Sequence, residues 1–475
     1  MVDITPKAGT HLAGGGAGEH RPAQVVLDPL YAKAVVFEQD GRRVCILALD
    51  VTIVTEEWTR RIRDAAASRF GFDPDAVLVH ATQTHAAPTL GHIMFDPDFP
   101  GLSDDVEYLR GGETSYYEFA VDRAIEAVGQ AHAALRPAQL AAGSAVRDGL
   151  AFNRRGVMRD GRVCMPWFYS RNQFPLGPTH IRYMEGPIDP EVGVLAVRDA
   201  DMRMIAMLLH YTCHPVNVFA TELFAVSADW PGAWSEETQK RFGKECVPLV
   251  LNGCCGNINP WPPFVPDFRP DHRRMGAALA DASAAVVGRM RFAPSSALAW
   301  RTERIPLPLK APDAQRVAEA RKALGAHPEP LWSKDSPGRI DPAWFRAASV
   351  MSVELFRKRS PNLLYEIQVM RIGDAAIVGL PGEPFVEGQL AIKLGSPAAA
   401  TYVAHATTQY VGYIPTREAH SRGGHEVDFS YWAKLAPEAL DRIVERAVAM
   451  AKDLFTFNAE GSTPSAQPGG DEQAM

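Results

Sequence analysis

Residues 76–88 read AVLVHATQTHAAP, an apolar run that leads directly into a cluster of polar side chains. The run predicts a buried strand that ends at 81. Two histidines, a glutamine and two threonines crowd its end and the turn that follows. Polar side chains at such a place need partners or a ligand, because burying them unsatisfied costs free energy. The stretch is therefore either a structural hydrogen-bond network or part of a site.

The residues before this stretch complete a βαβ unit. An Asp-Gly pair at 40–41 predicts a hairpin, since these residues accept the positive φ angles of tight turns. A helix with a threonine before it and a glycine after it separates the hairpin from the strand. Ligands gather beyond the carboxyl ends of parallel strands, which is where His80, Gln83 and His85 fall. The predicted segments are the strands 31–38, 43–51 and 76–81 and the helix 56–70.

The alternation of strands and helices continues along the chain and predicts an α/β fold. We expect a mixed or parallel sheet core with helices on both faces. Residues 1–457 are predicted to form a single domain, with a helical insertion or subdomain at 306–360 and a disordered tail at 458–475. No internal sequence repeat is evident. The further predicted segments are the strands 192–198, 203–210, 246–252, 364–372, 375–380 and 400–406 and the helices 113–136, 232–242, 270–290, 383 onward and 435–456.

The composition is that of a globular protein with a small molecule as its partner. Of the 475 residues 46% are hydrophobic and 22% are charged, and the net charge of −7 is spread along the chain. We therefore expect no nucleic-acid partner. The first residues lack the basic start and apolar core of a secretion signal, and no apolar run is long enough to cross a membrane, which predicts a cytoplasmic protein without an integral membrane segment. A homo-oligomer is compatible with these totals.

Polar and ionisable side chains follow apolar runs at several other places, which predicts loops that converge on one cleft. Imidazole and carboxylate groups from separate strands are ligands that Zn²⁺ takes in catalytic sites, with one position left for water. His85, His214 and Glu383 could supply such a set. Asp229 is a candidate for proton transfer or for a helix cap. The segments are HATQTHAAP at 80–88, CHPVNV at 213–218, SADWPG at 227–232, NGCCGNINP at 252–260, GLPGEPF at 379–385 and QYVGYIP at 409–415.

Read in order, a set of motifs resembles the N-terminal catalytic domain of the neutral/alkaline non-lysosomal ceramidases. The resemblance runs from about residue 2 to 457. Members of that family are zinc-dependent amidases that cut the N-acyl bond of ceramide, so the resemblance implies a ceramidase-like α/β domain, a hydrolase and bound Zn²⁺. The motifs are DITP at 3–6, DPLYAKAVVF at 28–37, TQTHAAP at 82–88, FNRR at 152–155, CHP at 213–215, GNINP at 256–260, PGEPF at 381–385 and GYIPTREAH…HE at 412–426.

The resemblance also implies which residues hold the metal. The family's second zinc histidine falls on His214, its zinc glutamate on Glu383 and its zinc tyrosine on Tyr413. The first zinc histidine is Gln83 here, and the next histidine of the same motif is His85. Neutral glutamine is a poor zinc ligand. The predicted metal site is therefore His85, His214, Glu383 and Tyr413.

The reacting groups implied by the resemblance differ from those of the family. The nucleophilic serine falls on Asn259, and an amide does not attack as a serine does. Arg154 matches the family's active-site arginine, whereas His425 replaces an active-site tyrosine. We expect direct attack of metal-activated water on an amide bond of a small polar or amphiphilic substrate. The predicted catalytic residues are His85, Arg154, Asn259, His425 and Asp229, and the predicted substrate-binding residues are Gln83, His80 and Asn257.

Two other interpretations stay open. The same fold could act on a glycosidic substrate as a hydrolase or lyase, with or without a metal, using His214, Glu383 and Asp229 for proton transfer. Alternatively, the chain is a non-catalytic binding protein that keeps a degenerate site.

Overall fold

The computed structural model describes residues 1–15, 18–166, 181–265, 267–294, 297–335 and 338–456. Within these ranges, three four-stranded sheets share one strand order. In each, an edge strand pairs antiparallel with the first strand of a β-hairpin, and the second hairpin strand runs parallel to the strand after the next helix. The chain thus repeats one arrangement three times without an evident sequence repeat. The predicted tail at 458–475 lies outside the described residues.

The first unit contains the hairpin and the βαβ unit that the sequence predicts. Its elements are β1 (Val2–Asp3), β2 (Tyr31–Gln39), β3 (Arg42–Leu49), α1 (Glu56–Phe70), β4 (Val77–Ala81) and α2 (Thr114–Ala133). Asp40 and Gly41 make the hairpin turn with φ angles of 52° and 76°, and Gly71 ends α1 with a φ of 71°. β3 and β4 are parallel, so their carboxyl ends lie at the same edge of the sheet.

The second unit repeats this order of elements. Its elements are β5 (Ala138–Val146), β6 (Glu191–Asp199), β7 (Met204–Tyr211), α3 (Asp229–Phe242), β8 (Val247–Asn252) and α4 (His272–Val287). The predicted hairpin at 192–210 is β6 and β7, and the parallel partner of β7 is β8.

The third unit has two additional helices. Its elements are β9 (Leu298–Pro308), α5 (Ala314–Ala326), α6 (Pro342–Arg359), β10 (Asn362–Ile372), β11 (Ala375–Gly379), α7 (Val386–Gly395), β12 (Ala400–Ala404) and α8 (Ala439–Thr456). The segment 306–360, predicted as a helical insertion, contains α5 and α6, and its first residues belong to β9.

Short elements connect the three units. They are the 3-10 helices Ala13–Gly15, Pro74–Ala76 and Asp104–Arg110, the helices Asn217–Thr221 and Arg417–Arg422, and the strands Val25–Val26, Phe152–Asn153, Gly156–Met158, Val163–Cys164, Ile181–Met184, Ala225–Val226, Ile258–Asn259, Glu383–Pro384 and Tyr413–Ile414.

The three sheets share one apolar core. Ile46 of β3, Leu208 of β7 and Ile377 of β11 are fully buried in the same cluster, so the inner faces of the sheets pack together. Helices cover the outer faces: α1 and α2 on the first sheet, α3 and α4 on the second, and α7 and α8 on the third. The predicted α/β class with mixed sheets is confirmed. Each sheet is therefore buried on both faces, by helices outside and by other sheets inside.

The carboxyl ends of the parallel strands position the polar segments. The loops after β4, β7, β8, β11 and β12 carry the motifs that begin at residues 82, 212, 253, 380 and 405. Side chains of these loops contact one another, as the hydrogen bonds between His214 and Glu383 and between Cys255 and Gln83 show. The convergence of loops that the sequence predicts is thus present.

Two further observations concern the helices and the cysteines of the chain. None of the helices in the described ranges combines the length and apolar character that a membrane crossing requires. All six cysteines are free, and all except Cys164 are buried.

Candidate functional site

The centre of the site is a buried pair formed by His214 and Glu383. His214 follows β7, and its Nδ1–H donates to the carbonyl oxygen of Ile258 at 3.0 Å. Its Nε2 lies 3.2 Å from Oε2 of Glu383. The other carboxylate oxygen, Oε1, accepts from the Tyr410 hydroxyl at 3.2 Å. Both side chains of the pair are almost completely buried.

The pair requires a positive charge between its two members. Burial alone would raise the pKa of Glu383, but the hydrogen bond to His214 and the charges of His214 and Arg154 lower it to about 2, so the carboxylate is ionised. With the ring proton on Nδ1, a neutral His214 would present a lone pair to this carboxylate. A proton on Nε2 or a metal ion removes that repulsion. The separation of 3.2 Å also matches two ligands of one tetrahedral zinc, which stand about 3.3 Å apart when both bonds are about 2.0 Å.

A short parallel bridge brings Tyr413 next to Glu383. The strands Glu383–Pro384 and Tyr413–Ile414 pair with Glu383 opposite Tyr413. The Glu383 N–H donates to the carbonyl of Gly412 at 2.9 Å. Gly412 has a φ of 85°, and a Cβ there would stand 2.2 Å from the carbonyl oxygen of Trp432. Only glycine fits this close backbone approach.

The TQTH turn supplies His85 on the other side of His214. The His85 Nδ1–H donates to the carbonyl of Gly14 at 2.7 Å, and its ring centroid lies 5.5 Å from that of His214. Burial and the charge of His214 lower the pKa of His85 to about 3, so the ring is neutral with a lone pair on Nε2. Gln83 has a φ of 66°, and its amide oxygen accepts from the Cys255 thiol at 3.4 Å. The residue that the resemblance aligns with a zinc histidine is thus engaged with a thiol.

Arg154 and Glu426 form a second buried ionic group beside the centre. Arg154 Nε donates to Glu426 at 2.8 Å, its Nη1 lies 3.4 Å from Oδ1 of Asn259, and its Nη2 has no hydrogen-bond partner among the described residues. The other oxygen of Glu426 accepts from Arg155 at 2.6 Å. Burial would raise the pKa of Glu426, but the charges of Arg154 and Arg155 lower it to about 2. The guanidinium of Arg154 is therefore held rigidly, and it also lies over the Tyr413 ring, 5.4 Å from the ring centroid.

Two adjoining cavities connect these groups. The larger, here called the main cavity, has a volume of about 460 Å³, and the inner cavity has a volume of about 140 Å³. His85, Tyr413 and His425 line both. The His425 ring lies 5.4 Å from that of Tyr413. The main cavity is further lined by Arg154, Asn259 and Glu426, and the inner cavity by Gln83, Glu383, Tyr410 and Trp432.

Besides His214, which lines neither cavity, three of the predicted site residues lie outside both. His80 is fully buried, with Nδ1 bonded to the carbonyl of His405 at 2.6 Å and Nε2 accepting from the Asn252 N–H at 3.1 Å. Asn257 accepts from the Val386 N–H at 3.0 Å. These two side chains hold the strand ends and loops in place.

Asp229 is the third predicted residue that the structure places outside the cavities. Its carboxylate accepts from the Asn217 amide at 3.0 Å and from the Val218 N–H at 2.8 Å. It also accepts from the Trp230 N–H at 2.6 Å, at the start of α3. These bonds tie residues 217–218 to the start of α3, and the helix has no side-chain cap hydrogen bond.

Several residues of the site were not predicted from the sequence. Tyr410 and Glu426 bond directly to Glu383 and Arg154, and Glu426 lies inside a motif of the resemblance. The His405 ring contacts the carbonyl of Gly253 and, at 3.6 Å, the Cys255 thiol. A sequence signal for His405 exists, because the letters HAT begin both at residue 80 and at residue 405, after the parallel strands β4 and β12.

The donor set fits a divalent cation only with the help of a tyrosine. Across the described ranges, no three side chains of His, Cys, Asp or Glu form a group that could hold a metal ion. His214 and Glu383 provide two donors at a suitable separation, and the paired position of Tyr413 offers a phenol oxygen. His85 has the ring orientation typical of a metal-binding histidine, since a backbone carbonyl fixes its Nδ1–H.

Comparisons with known proteins agree with the resemblance of the motifs. No protein-family model matches the chain. The neutral ceramidase of Mycobacterium tuberculosis is 21% identical, in an alignment that covers 95% of this chain and 76% of that protein. The chain is related to the neutral ceramidases. The crystal structure of neutral ceramidase from Pseudomonas aeruginosa superposes with a TM-score of 0.69 and 18% identity, covering 96% of this chain and 74% of that one.

A second ceramidase structure shares the fold to the same extent. A ceramidase described as complexed with C2 has a TM-score of 0.67 at 17% identity and covers 96% of this chain and 74% of its own. The ceramidase fold therefore extends over nearly all of the chain.

Proposed function

We propose that the protein is a hydrolase that cleaves the amide bond of an N-acyl compound at the His214–Glu383 centre by direct attack of water. The observation that carries this proposal is the buried pair itself, 3.2 Å apart. Glu383 lines the inner cavity, and the guanidinium of Arg154 lines the adjoining main cavity. The relationship to the neutral ceramidases supports an amide as the bond that is cut.

The residues around the cavity divide the chemistry between them. Arg154, fixed by Glu426, is placed to stabilise the negative oxygen that develops when water attacks a carbonyl. Asn259, which the resemblance aligns with a nucleophilic serine, lies 3.4 Å from Arg154 and is suited to bind and orient the substrate. His85 and His425 are neutral or weakly basic groups at the junction of the two cavities and are suited to transfer a proton to the leaving amine.

A zinc ion is the cation that we propose for the centre. His214, Glu383 and Tyr413 would hold it, whereas His85, which completes no group of three with His214 and Glu383 among the described residues, would stay outside the ligand set. Bound there, zinc would polarise the carbonyl and bring the pKa of water toward about 7. Gln83 would then take part in substrate binding rather than in metal binding.

The glycosidic alternative has less support from the geometry. Enzymes of that class use two carboxyl groups that flank the bond. Among the described residues that line the cavities, Glu383 and Glu426 carry carboxylates, and Glu426 is paired with two arginines.

The decisive experiment measures turnover and metal content together. The wild type and the variants His214→Ala and Glu383→Gln are purified without chelator, assayed for zinc, manganese and iron, and tested on N-acyl amines of graded chain length. Each substitution is expected to lower kcat by at least about 100-fold, because it removes the charge that the centre needs. His327→Ala, at an exposed position, serves as the control.

The outcomes separate the parts of the proposal. Full turnover in both variants would exclude this centre as the reaction site. Undiminished activity in protein with far less than one metal ion per chain would exclude zinc, but the proposal of an amide hydrolase would stand.

A further inference from the structure

A third cavity adjoins the main cavity, on the side of residues 11–15 and 18–21. This side cavity has a volume of about 210 Å³. Gly15 and Phe219 line both it and the main cavity, so the two spaces are neighbours. Neither the motifs nor the proposed reaction assigns a role to it.

Arg21 lines the side cavity as a buried cation without an acidic partner. Its side chain is 3% exposed. Nε and Nη2 donate to the carbonyl of Leu223 at 3.1 and 2.7 Å, and the guanidinium lies 4.7 Å from the centroid of the Phe219 ring. Nη1 has no hydrogen-bond partner among the described residues. Within those same ranges Arg21 forms no ion pair, and the charge of the exposed Glu19 acts on it only from beyond ion-pair distance.

Other buried arginines in the molecule are paired. Arg63 bonds to Glu366 at 2.8 Å, and Arg155 bonds to Glu426 at 2.6 Å. An unpaired buried charge is costly, and burial lowers the pKa of Arg21 only to about 10, so the group stays charged at neutral pH. A negatively charged ligand in the side cavity would supply the missing partner.

His11 lines the same cavity as Arg21. Nδ1 of His11 accepts from the backbone N–H of Arg21 at 3.1 Å, so the neutral ring carries its proton on Nε2. Burial lowers the pKa of His11 to about 3, which keeps it neutral. The lining also contains the exposed side chains of Arg339 and Glu19. With Arg21, these charges sum to one net positive charge.

The side cavity is in direct contact with the reaction centre. Nη2 of Arg21 lies 3.5 Å from the carbonyl oxygen of His85, and the Phe219 ring also packs against the His85 ring. A Cβ on Gly15 would stand 3.1 Å from Nη1 of Arg21, so the absence of a side chain at Gly15 leaves room beside this buried nitrogen. A substrate that spans the two adjoining cavities would lie between His85 and Arg21.

We propose that Arg21 and His11 bind a carboxylate of the substrate, which makes the preferred substrate an N-acyl compound with a free acid group, such as an N-acyl amino acid. This inference rests on the proposed function and defines its substrate class. The carboxylate occupies the side cavity, and the amide bond lies at the His214–Glu383 centre.

The test compares two substrates that differ only in this group. The wild type is assayed with an N-acyl amino acid and with the corresponding C-terminal primary amide, following release of the acyl chain. We expect kcat/KM to be about 10- to 100-fold higher for the acid, the range for a charge-assisted hydrogen bond. Arg21→Met should abolish that ratio, Arg21→Lys should keep part of it, and Arg60→Met, at an exposed position, should leave it unchanged. A purely structural role of Arg21 would lower both rates and keep the ratio.

The results distinguish this inference from the proposed function. If the wild type cleaves both substrates with nearly equal kcat/KM, the inference is overturned, but the proposal of a hydrolase stands. If neither substrate is cleaved, calorimetric binding of the same two compounds decides, and equal affinities overturn the inference. Stronger thermal stabilisation by inorganic phosphate than by acetate, lost in Arg21→Met, would also overturn it, because the site would then be one for phosphate.

Discussion

At the scale of single residues, the site depends on buried charges that compensate one another. Glu383 faces His214, and Glu426 faces Arg154 and Arg155, all with little or no exposure. Removing one member of such a group leaves its partner charged in a medium of low polarity, which costs more than the intact pair contributes. The pairs therefore fix the geometry of the centre.

Glu426 allows this compensation to be measured through pH. Its pKa of about 2 lies below its ordinary value of 4.5, so the carboxylate stabilises the fold fully above about pH 4.5, and this contribution is lost as the pH falls toward 2. We expect Glu426→Gln to lower the free energy of unfolding at pH 7 by about 3 kcal/mol, the equivalent of such a shift. The loss should shrink as the pH approaches 3.

Urea denaturation of the wild type and the variant at both pH values checks this expectation. Glu418→Gln, on the exposed face of the helix Arg417–Arg422, is the control and should have little effect at either pH. A loss of equal size at pH 7 and pH 3 would mean that the ionised carboxylate is not what stabilises this region.

At the scale of elements, the smallest strands matter most for the site. The two-residue bridge between Glu383–Pro384 and Tyr413–Ile414 places a carboxylate beside a phenol, although the residues are far apart in sequence. Its geometry depends on Gly412, whose missing side chain lets the chain pass the carbonyl of Trp432. Backbone pairing in this bridge thus brings Glu383 and Tyr413 together.

Gly412→Ala should disturb this bridge. The new Cβ would stand 2.2 Å from the Trp432 carbonyl oxygen, and the alanine would have to keep a φ of 85°, which is unfavourable for any residue with a side chain. We expect a loss of about 2–4 kcal/mol in the free energy of unfolding, from the sum of conformational strain and overpacking, together with a fall in kcat as Tyr413 moves. Gly161→Ala is the matched control, with a φ of 82° and nothing within 4 Å. If the two variants are equally stable in urea, the close approach at Gly412 has no energetic importance.

Interior strands were predicted from the sequence, whereas the antiparallel edge strands β1, β5 and β9 were not. The hairpin strands β2, β3, β6 and β7 have apolar residues and turn signals, and their observed ends lie within two residues of the predicted ones. β5 reads AQLAAGSAV and β9 reads LAWRTERIPLP, so one is rich in small residues and the other in charges and proline. Both are edge strands, whose structure comes from pairing with a neighbour rather than from their own propensity.

The site was only partly predictable for a related reason. Recognisable motifs identified His214, Glu383 and Tyr413, and the structure brings them to one place. The contribution of Arg21 could not be predicted, because what distinguishes it is a missing acidic partner, and partners of buried charges come from distant parts of the chain. His80 shows the converse: its position at a strand end suggested a ligand contact, but both ring nitrogens are occupied by backbone groups.

At the scale of the whole molecule, three copies of one arrangement surround a common core. The parallel strands of each unit direct their carboxyl ends to the same centre, so the first unit provides His85, the second His214 and the third Glu383 and Tyr413. This repetition is not visible in the sequence, because what repeats is the order and pairing of strands. Because each unit contributes side chains to this centre, the centre can form only when all three units are folded together.

The same packing predicts that the units do not fold separately. In a fragment of residues 1–294 the third sheet is absent, so buried side chains such as Leu78, Leu208 and Leu251, which share a cluster with Ile377, would face water. Exposing an apolar surface of that size costs far more than the few kcal/mol by which domains are stable. We expect the fragment to bind a hydrophobic dye, to lack near-ultraviolet circular dichroism and to unfold without a cooperative transition, whereas the chain of residues 1–456 should show one transition. A fragment that unfolds cooperatively by itself would show that the shared core is not what joins the units, and the prediction of a single domain would then be wrong.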